Sequence, residues 1–203
     1  RFIQVTGVQT CALPIYIDDT LFMKQRDFLP TTVPVFMRKL KENGIIPAIA
    51  TGRTRCAFPH KLNQVIEQEG IDLFVTMNGQ MASYRGQVIE KHVIPTEKIR
   101  NLVHFFEQHN MPYAFVSDHT VAVSERNSVV QFAMDPILKD YIVDKAFFEG
   151  NDIGQVLPFY RADRDEFVQN SGILDGLRVV RWHEDSVEDR KSTRLNSSHL
   201  DKS

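Results

Sequence analysis

The run Ile45-Ile46-Pro47-Ala48-Ile49-Ala50 is almost wholly apolar and is closed abruptly by Thr51-Gly52-Arg53. Such a run suits a strand buried on both faces, as in the interior of a parallel sheet. Just before it, Val33, Phe36, Met37 and Leu40 fall at i, i+3, i+4 and i+7. That spacing predicts a helix over Thr32–Glu42, with Asn43-Gly44 as its left-handed stop. After it, Leu62, Val65 and Ile66 mark a second helix closed by Gly70, and residues 71–76 read as another buried strand ending near Asn78-Gly79. From residue 17 to residue 76 the order is strand, helix, strand, helix, strand. It predicts a doubly wound α/β sheet with ligands at the carboxyl ends of its strands.

The texture changes after Gly79. Met81–Tyr84 and residues 87–94, joined at Arg85-Gly86, predict a hairpin. Pro95-Thr96-Glu97 opens a helix with Thr96 as its N-cap, and Ile99, Leu102, Val103 and Phe106 form its buried stripe. Extended segments follow over residues 113–123, a helix near 136–145, and strands near Gln155–Arg161 and 177–182. Phe105-Phe106 and Phe147-Phe148 are expected in the core. This pattern predicts an α+β domain with a mainly antiparallel sheet, inserted after the third core strand.

Composition narrows the function classes. Of 203 residues, 42% are hydrophobic and 25% charged, which is ordinary for a globular protein. The net charge of −2 lacks the basic excess of a nucleic-acid binder, so no nucleic-acid partner is expected. Cys11 and Cys56 form no CxxC pair, which argues against a disulfide scaffold or a cysteine zinc site. No apolar run approaches the roughly 20 residues that span a bilayer, and no signal-peptide pattern opens the chain. A cytoplasmic location without membrane association is therefore expected. His104, His109 and His119 have no second ligand at paired spacing and read as surface residues.

Three short stretches carry chemistry. In Tyr16-Ile17-Asp18-Asp19-Thr20, positions 16, 18 and 20 share one face if the strand runs that far. Phosphoryl transfer through an aspartyl-phosphate needs one carboxylate as nucleophile and a second acid to protonate the leaving oxygen, and acids spaced i, i+2 at a strand end would supply both. Asp18-Asp19 also suits a plain turn or helix cap. In Thr51-Gly52-Arg53, a hydroxyl and a glycine amide at a strand end can donate to phosphoryl oxygens. Arg53 either assists them or is a solvated charge. Asn78-Gly79 reads as a turn.

Taken together, Asp18-x-Thr20, Thr51-Gly52-Arg53 and Asn78-Gly79 resemble the haloacid dehalogenase superfamily, and its Cof-type phosphatases in particular, over residues 17–188. The resemblance implies a Rossmann-like core with an inserted α+β cap, and magnesium-dependent hydrolysis of a small phosphorylated metabolite such as a sugar phosphate, a nucleotide, flavin mononucleotide or pyridoxal phosphate. It implies Asp18 as general acid/base and, through its backbone carbonyl, as a metal ligand. It implies Thr20, Thr51 and Gly52 as phosphate-binding residues, and Asn78, Gly79 and Arg53 at the cap hinge near substrate.

Departures from the family pattern are equally specific. Position 16, where the family has its aspartate nucleophile, is Tyr16. The later lysine and the Gly-Asp-x-x-x-Asp-like magnesium motif are absent: after Trp182 come only Asp185, Glu188 and Asp189, with Lys191 as a positional candidate for the lysine. Both ends resemble translated sequencing-adapter sequence. The expected organisation is thus a foreign segment at 1–16, a partial core at 17–79, the cap at 80–188 and a foreign or disordered tail at 189–203. Such a chain should be inactive. Two alternatives are a pseudoenzyme that still binds phosphate and an ordinary nucleotide-binding α/β protein; the latter lacks any glycine fingerprint after a strand.

Overall fold

A computed structural model describes residues 11–23, 26–181 and 190–196. The chain divides into two compact units at Lys91/His92. In the first, β1 (Ala12–Tyr16), β2 (Ile46–Ala50), β3 (Leu73–Thr76), β4 (Met81–Tyr84) and β5 (Gln87–Lys91) form one sheet in sequential order. β1, β2 and β3 run parallel, and β4 and β5 turn back antiparallel.

The register of the parallel strands positions the site. Tyr16 pairs with Ala50, and Ala50 pairs with Val75. β1 and β2 therefore end at one level and β3 one residue beyond it, so the segments leaving them share one edge of the sheet. α1 (Thr32–Glu42) and α2 (His60–Glu69) link these strands and bury Val33, Met37, Leu62, Val65 and Ile66. These side chains join Ile15, Ile17 and Ile49 in a single core. A wholly buried leucine such as Leu62 contributes about 1.5–3 kcal/mol relative to an exposed one. α2 stops at Gly70, whose φ of 60° is the left-handed cap that its sequence predicts.

Pro14 sits within β1, where a central strand would be weakened by the missing amide. The ladder shows how it is accommodated. Ile46 donates its amide to the Cys11 carbonyl, so by the two-residue alternation Leu13 and Ile15 continue the pairing with β2. Pro14 then turns its nitrogen to the opposite edge.

The second unit holds a six-stranded sheet in the order β10-β11-β9-β6-β7-β8. Its strands are β6 (Tyr113–Val116), β7 (Val121–Val123), β8 (Ile142–Val143), β9 (Gln155–Arg161), β10 (Arg178–Arg181) and β11 (Arg190–Asn196). All pairings are antiparallel except β7 with β8. α3 (Thr96–Gln108) buries Ile99, Leu102 and Phe106 among Tyr113, Phe115, Val156 and Phe148. Phe105 and Phe147 are only partly buried against this core.

Several expectations change. The 81–91 hairpin continues the first sheet, and the division falls at Lys91/His92 instead of Gly79. A hairpin signal is local and does not say which sheet receives it. Pro95, not Thr96, is the N-cap of α3. The helix expected at 136–145 lies earlier, as α4 (Ser128–Met134), where the Asn127 side chain accepts from the Val130 amide. Pro136 has no amide hydrogen to prolong it. α5 (Asp165–Asn170) is too short to register as a periodic pattern. Residues 190–196, expected to lack regular structure, form β11, which includes Lys191. The expectations for residues 1–10, 182–189 and 197–203 fall outside the described residues.

Candidate active site

Three turns meet at the carboxyl edge of the parallel strands. The first follows β1. The Ile17 carbonyl accepts from the amides of Thr20, Leu21 and Phe22, which folds the chain back at once. Asp19 takes φ 60°, a conformation that aspartate tolerates better than most residues. Ile17 is buried and anchors this turn, while Asp18 and Thr20 on either side of Asp19 are exposed.

The second turn follows β2. Thr51 is buried, its amide donates to the Val75 carbonyl, and its Oγ1 accepts from the Arg53 amide at 3.1 Å. A hydroxyl carries one proton and two lone pairs, so accepting this bond leaves the Thr51 proton for another acceptor. Gly52 is half-buried between them.

Arg53 corrects the expectation of a solvated charge. Its side chain is 7% exposed, against 43% for that of Asp18. Nε donates to Asp18 Oδ2 at 3.1 Å and Nη2 to Asp18 Oδ1 at 2.7 Å, a fork-to-fork contact. Nη1 donates to the Ala57 carbonyl at 3.0 Å, at the end of the short 3-10 turn Arg55–Ala57. Arg53 therefore ties the turn after β1 to the turn after β2. No spacing rule in the sequence announces this pair, because its members lie 35 positions apart.

The third turn follows β3. Met77, Asn78 and Gly79 have φ values of 52°, 57° and 90°. Positive φ is uncommon outside glycine, and a buried methionine is a poor candidate for it. Two hydrogen bonds hold the strain: the Met77 amide donates to the Arg53 carbonyl and the Asn78 amide to the Thr51 carbonyl, each at 3.0 Å. Met77 was missed in the sequence, which flagged only Asn78-Gly79. Asn78 and Gly79 are exposed.

The structure thus brings Asp18, Thr51, Arg53 and Asn78 into one hydrogen-bonded assembly. Tyr16 ends β1 beside Ala50 with 66% of its surface exposed. The magnesium that the resemblance implies asks for several oxygen ligands, carboxylates above all. Here position 16 offers a phenol in place of a carboxylate, and Asp18 is implied as a ligand only through its backbone carbonyl. Among the described residues, no three His, Cys, Asp or Glu side chains gather in a group that could hold a metal. This set of donors does not fit a magnesium site.

A family model described as haloacid dehalogenase-like hydrolase matches residues 15–188. YkrA of Bacillus subtilis (strain 168), named as a candidate phosphatase, is 28% identical over 175 residues, covering 85% of this chain and 65% of that protein. The chain therefore spans just under two thirds of this curated relative. A solved structure from Geobacillus kaustophilus HTA426 aligns at a TM-score of 0.76 and 31% identity, over 93% of this chain and 70% of that one. The subclass IIB sugar phosphatase BT4131 shares the fold at a TM-score of 0.74 and 24% identity, over 93% of this chain and 71% of its own.

Proposed function

We propose a function from one premise: the chain belongs to the haloacid dehalogenase-like hydrolase family. Asp18, Thr51, Gly52 and Arg53 form the phosphoryl-binding part of a phosphomonoester hydrolase that acts on small phosphorylated metabolites. The unit after Lys91 is the cap that selects among them. The names of YkrA and BT4131 support the phosphatase class. Sugar phosphates, nucleotides, flavin mononucleotide and pyridoxal phosphate all suit this class.

One observation carries the reading: Arg53 joins the Asp18 carboxylate to the Thr51 turn at the carboxyl ends of adjacent parallel strands. Open α/β sheets bind ligands at that edge. The Thr51 hydroxyl and the Gly52 backbone would donate to phosphoryl oxygens, and Thr20 would bound the same pocket from the turn after β1. Asp18 would transfer a proton to the leaving oxygen. Asn78 and Gly79 would frame the substrate's far end.

Position 16 separates binding from turnover. An attacking carboxylate there would form the acyl phosphate; Tyr16 supplies no carboxylate oxygen. A chain that binds phosphate without hydrolysing phosphoesters is therefore the expected behaviour of this sequence. The test is calorimetric titration of inorganic phosphate into the chain and into Thr51→Ala. The hydroxyl's loss should weaken binding about tenfold. Equal affinity in the two proteins would remove Thr51 from the site.

A further inference from the structure

We infer that Arg53 is an anion-exchange residue: its guanidinium holds the Asp18 carboxylate in the empty state and passes to the phosphoryl group when one arrives. The inference rests on the phosphate-binding reading above and adds a mechanism of loading to it.

The geometry carries the argument in three steps. The guanidinium presents Nε and Nη2 as a planar fork, and this fork grips both oxygens of Asp18. The same fork matches two oxygens of a phosphoryl group equally well. What the carboxylate occupies is therefore a ready anion site at a strand edge, next to the Thr51 hydroxyl that Arg53 itself orients.

The two partners are unequal in mobility. Arg53 is fixed: its side chain is buried, Nη1 is held by the Ala57 carbonyl, its backbone amide by Thr51 Oγ1, and its carbonyl by the Met77 amide. Asp18 is far more exposed and sits beside the left-handed Asp19 in a tight turn. In an exchange, the carboxylate leaves and the arginine stays.

Exchange also frees both Asp18 oxygens, which Arg53 engages in the empty state. A partly exposed carboxylate is also the weaker competitor, because water screens its attraction and rehydrates it on leaving.

The experiment titrates inorganic phosphate into the chain, Asp18→Asn, Arg53→Gln, Arg53→Lys and the Asp18→Asn/Arg53→Gln double variant. The Arg53 Nε–H resonance is followed by NMR wherever Arg53 is present. Exchange predicts that Arg53→Gln weakens phosphate binding by about tenfold or more, that Arg53→Lys recovers only part of it, and that Asp18→Asn tightens it roughly fivefold. The gain from Asp18→Asn must vanish in the Arg53→Gln background, because no fork remains to be freed. In the unaltered chain, phosphate should shift the Nε–H resonance. An Asp18→Asn gain that persists undiminished without Arg53 would reduce the effect to plain charge repulsion and overturn the exchange. An unshifted Nε–H at saturating phosphate would overturn it as well. Should Arg53→Gln fail to fold, the Asp18→Asn affinity, the Arg53→Lys affinity and the resonance still decide. Absence of phosphate binding in the chain and in Asp18→Asn alike would instead defeat the phosphate-binding reading itself.

Discussion

Tyr16 stands directly opposite Ala50 in the parallel ladder, one residue short of the level of Thr51 and two residues before Asp18. On the proposed reading, the position from which a nucleophile would address a phosphoryl group at Thr51 is filled by an exposed phenol.

The first expected outcome concerns turnover. Purified chain should hydrolyse a generic aryl phosphate with magnesium no faster than background, and Tyr16→Asp alone should not restore robust activity. The new carboxylate would supply a nucleophile. It would not by itself supply the later lysine and Gly-Asp motif that the family resemblance implies, and losing one such electrostatic group costs about 10²–10³ in rate. Steady-state assays of both proteins with purified background controls decide it. Efficient turnover by the unaltered chain would mean that the nucleophile lies elsewhere.

The two core helices, β2 and β3 were legible because they are periodic or wholly apolar and clearly punctuated. The first strand, expected from residue 17, lies instead at Ala12–Tyr16, inside the segment expected to be foreign, and Ile17 opens a turn. Thr32–Glu42 matches its predicted bounds, and Gly70 ends α2 as expected. The strand-end motifs were legible as turns that leave β2 and β3. What escaped was non-local. The burial of Arg53 depends on Asp18 and Ala57 being brought to it by the sheet, so a solvated arginine was the natural reading of the sequence. The 81–91 hairpin was found, but its place in the first sheet depends on β3 offering a free edge. α4 was misplaced because the cap at Asn127 is a single side-chain bond, whereas the apolar residues after Pro136 imitate a helical face.

Asn78 separates backbone need from side-chain function. Its φ of 57° is tolerable for asparagine and easy for glycine, but strained for alanine. Asn78→Ala should lower stability by about 1 kcal/mol, while Asn78→Gly should be neutral or slightly stabilising. Urea denaturation measures both. If Asn78→Gly keeps stability yet loses phosphoester affinity, the side chain serves the ligand; unchanged affinity would confine Asn78 to shaping the turn.

Gly70 tests the join of the two core helices. A Cβ there would meet Lys41 Nζ at 3.3 Å, and φ is 60°. The same ammonium donates to the Glu69 carbonyl at 2.7 Å and to the Gly70 carbonyl at 3.2 Å. Gly70→Ala therefore strains the cap and crowds the lysine that satisfies its carbonyls. A loss of about 1–2 kcal/mol is expected by chemical denaturation. A loss no larger than that of an exposed surface substitution would show that the cap relaxes freely.

The last prediction is set at alkaline pH by Tyr113. Its ring is buried in the second unit, and its hydroxyl donates to Glu107 Oε1 at 3.2 Å. Burial, followed by the neighbouring Glu107 charge and that hydrogen bond, raises its pKa well above the ordinary tyrosine value of about 10. Tyr141 shifts the same way, by burial first and then by its bond to Asp135. A folded-state pKa raised above the unfolded one means that the unfolded chain releases the proton first. The contribution is fully present below pH of about 10 and is lost as pH rises toward the folded value, because the unfolded state then binds fewer protons. Tyr113→Phe should lose about 0.5–1.5 kcal/mol near neutrality with its hydrogen bond. Above pH of about 10 its stability should fall less steeply than that of the unaltered chain, by up to about 1.4 kcal/mol per pH unit for the one proton removed. Denaturation curves from pH 8 to 11 give both slopes. Parallel slopes would mean that Tyr113 ionises alike in the folded and unfolded chain, and that its burial carries no electrostatic consequence.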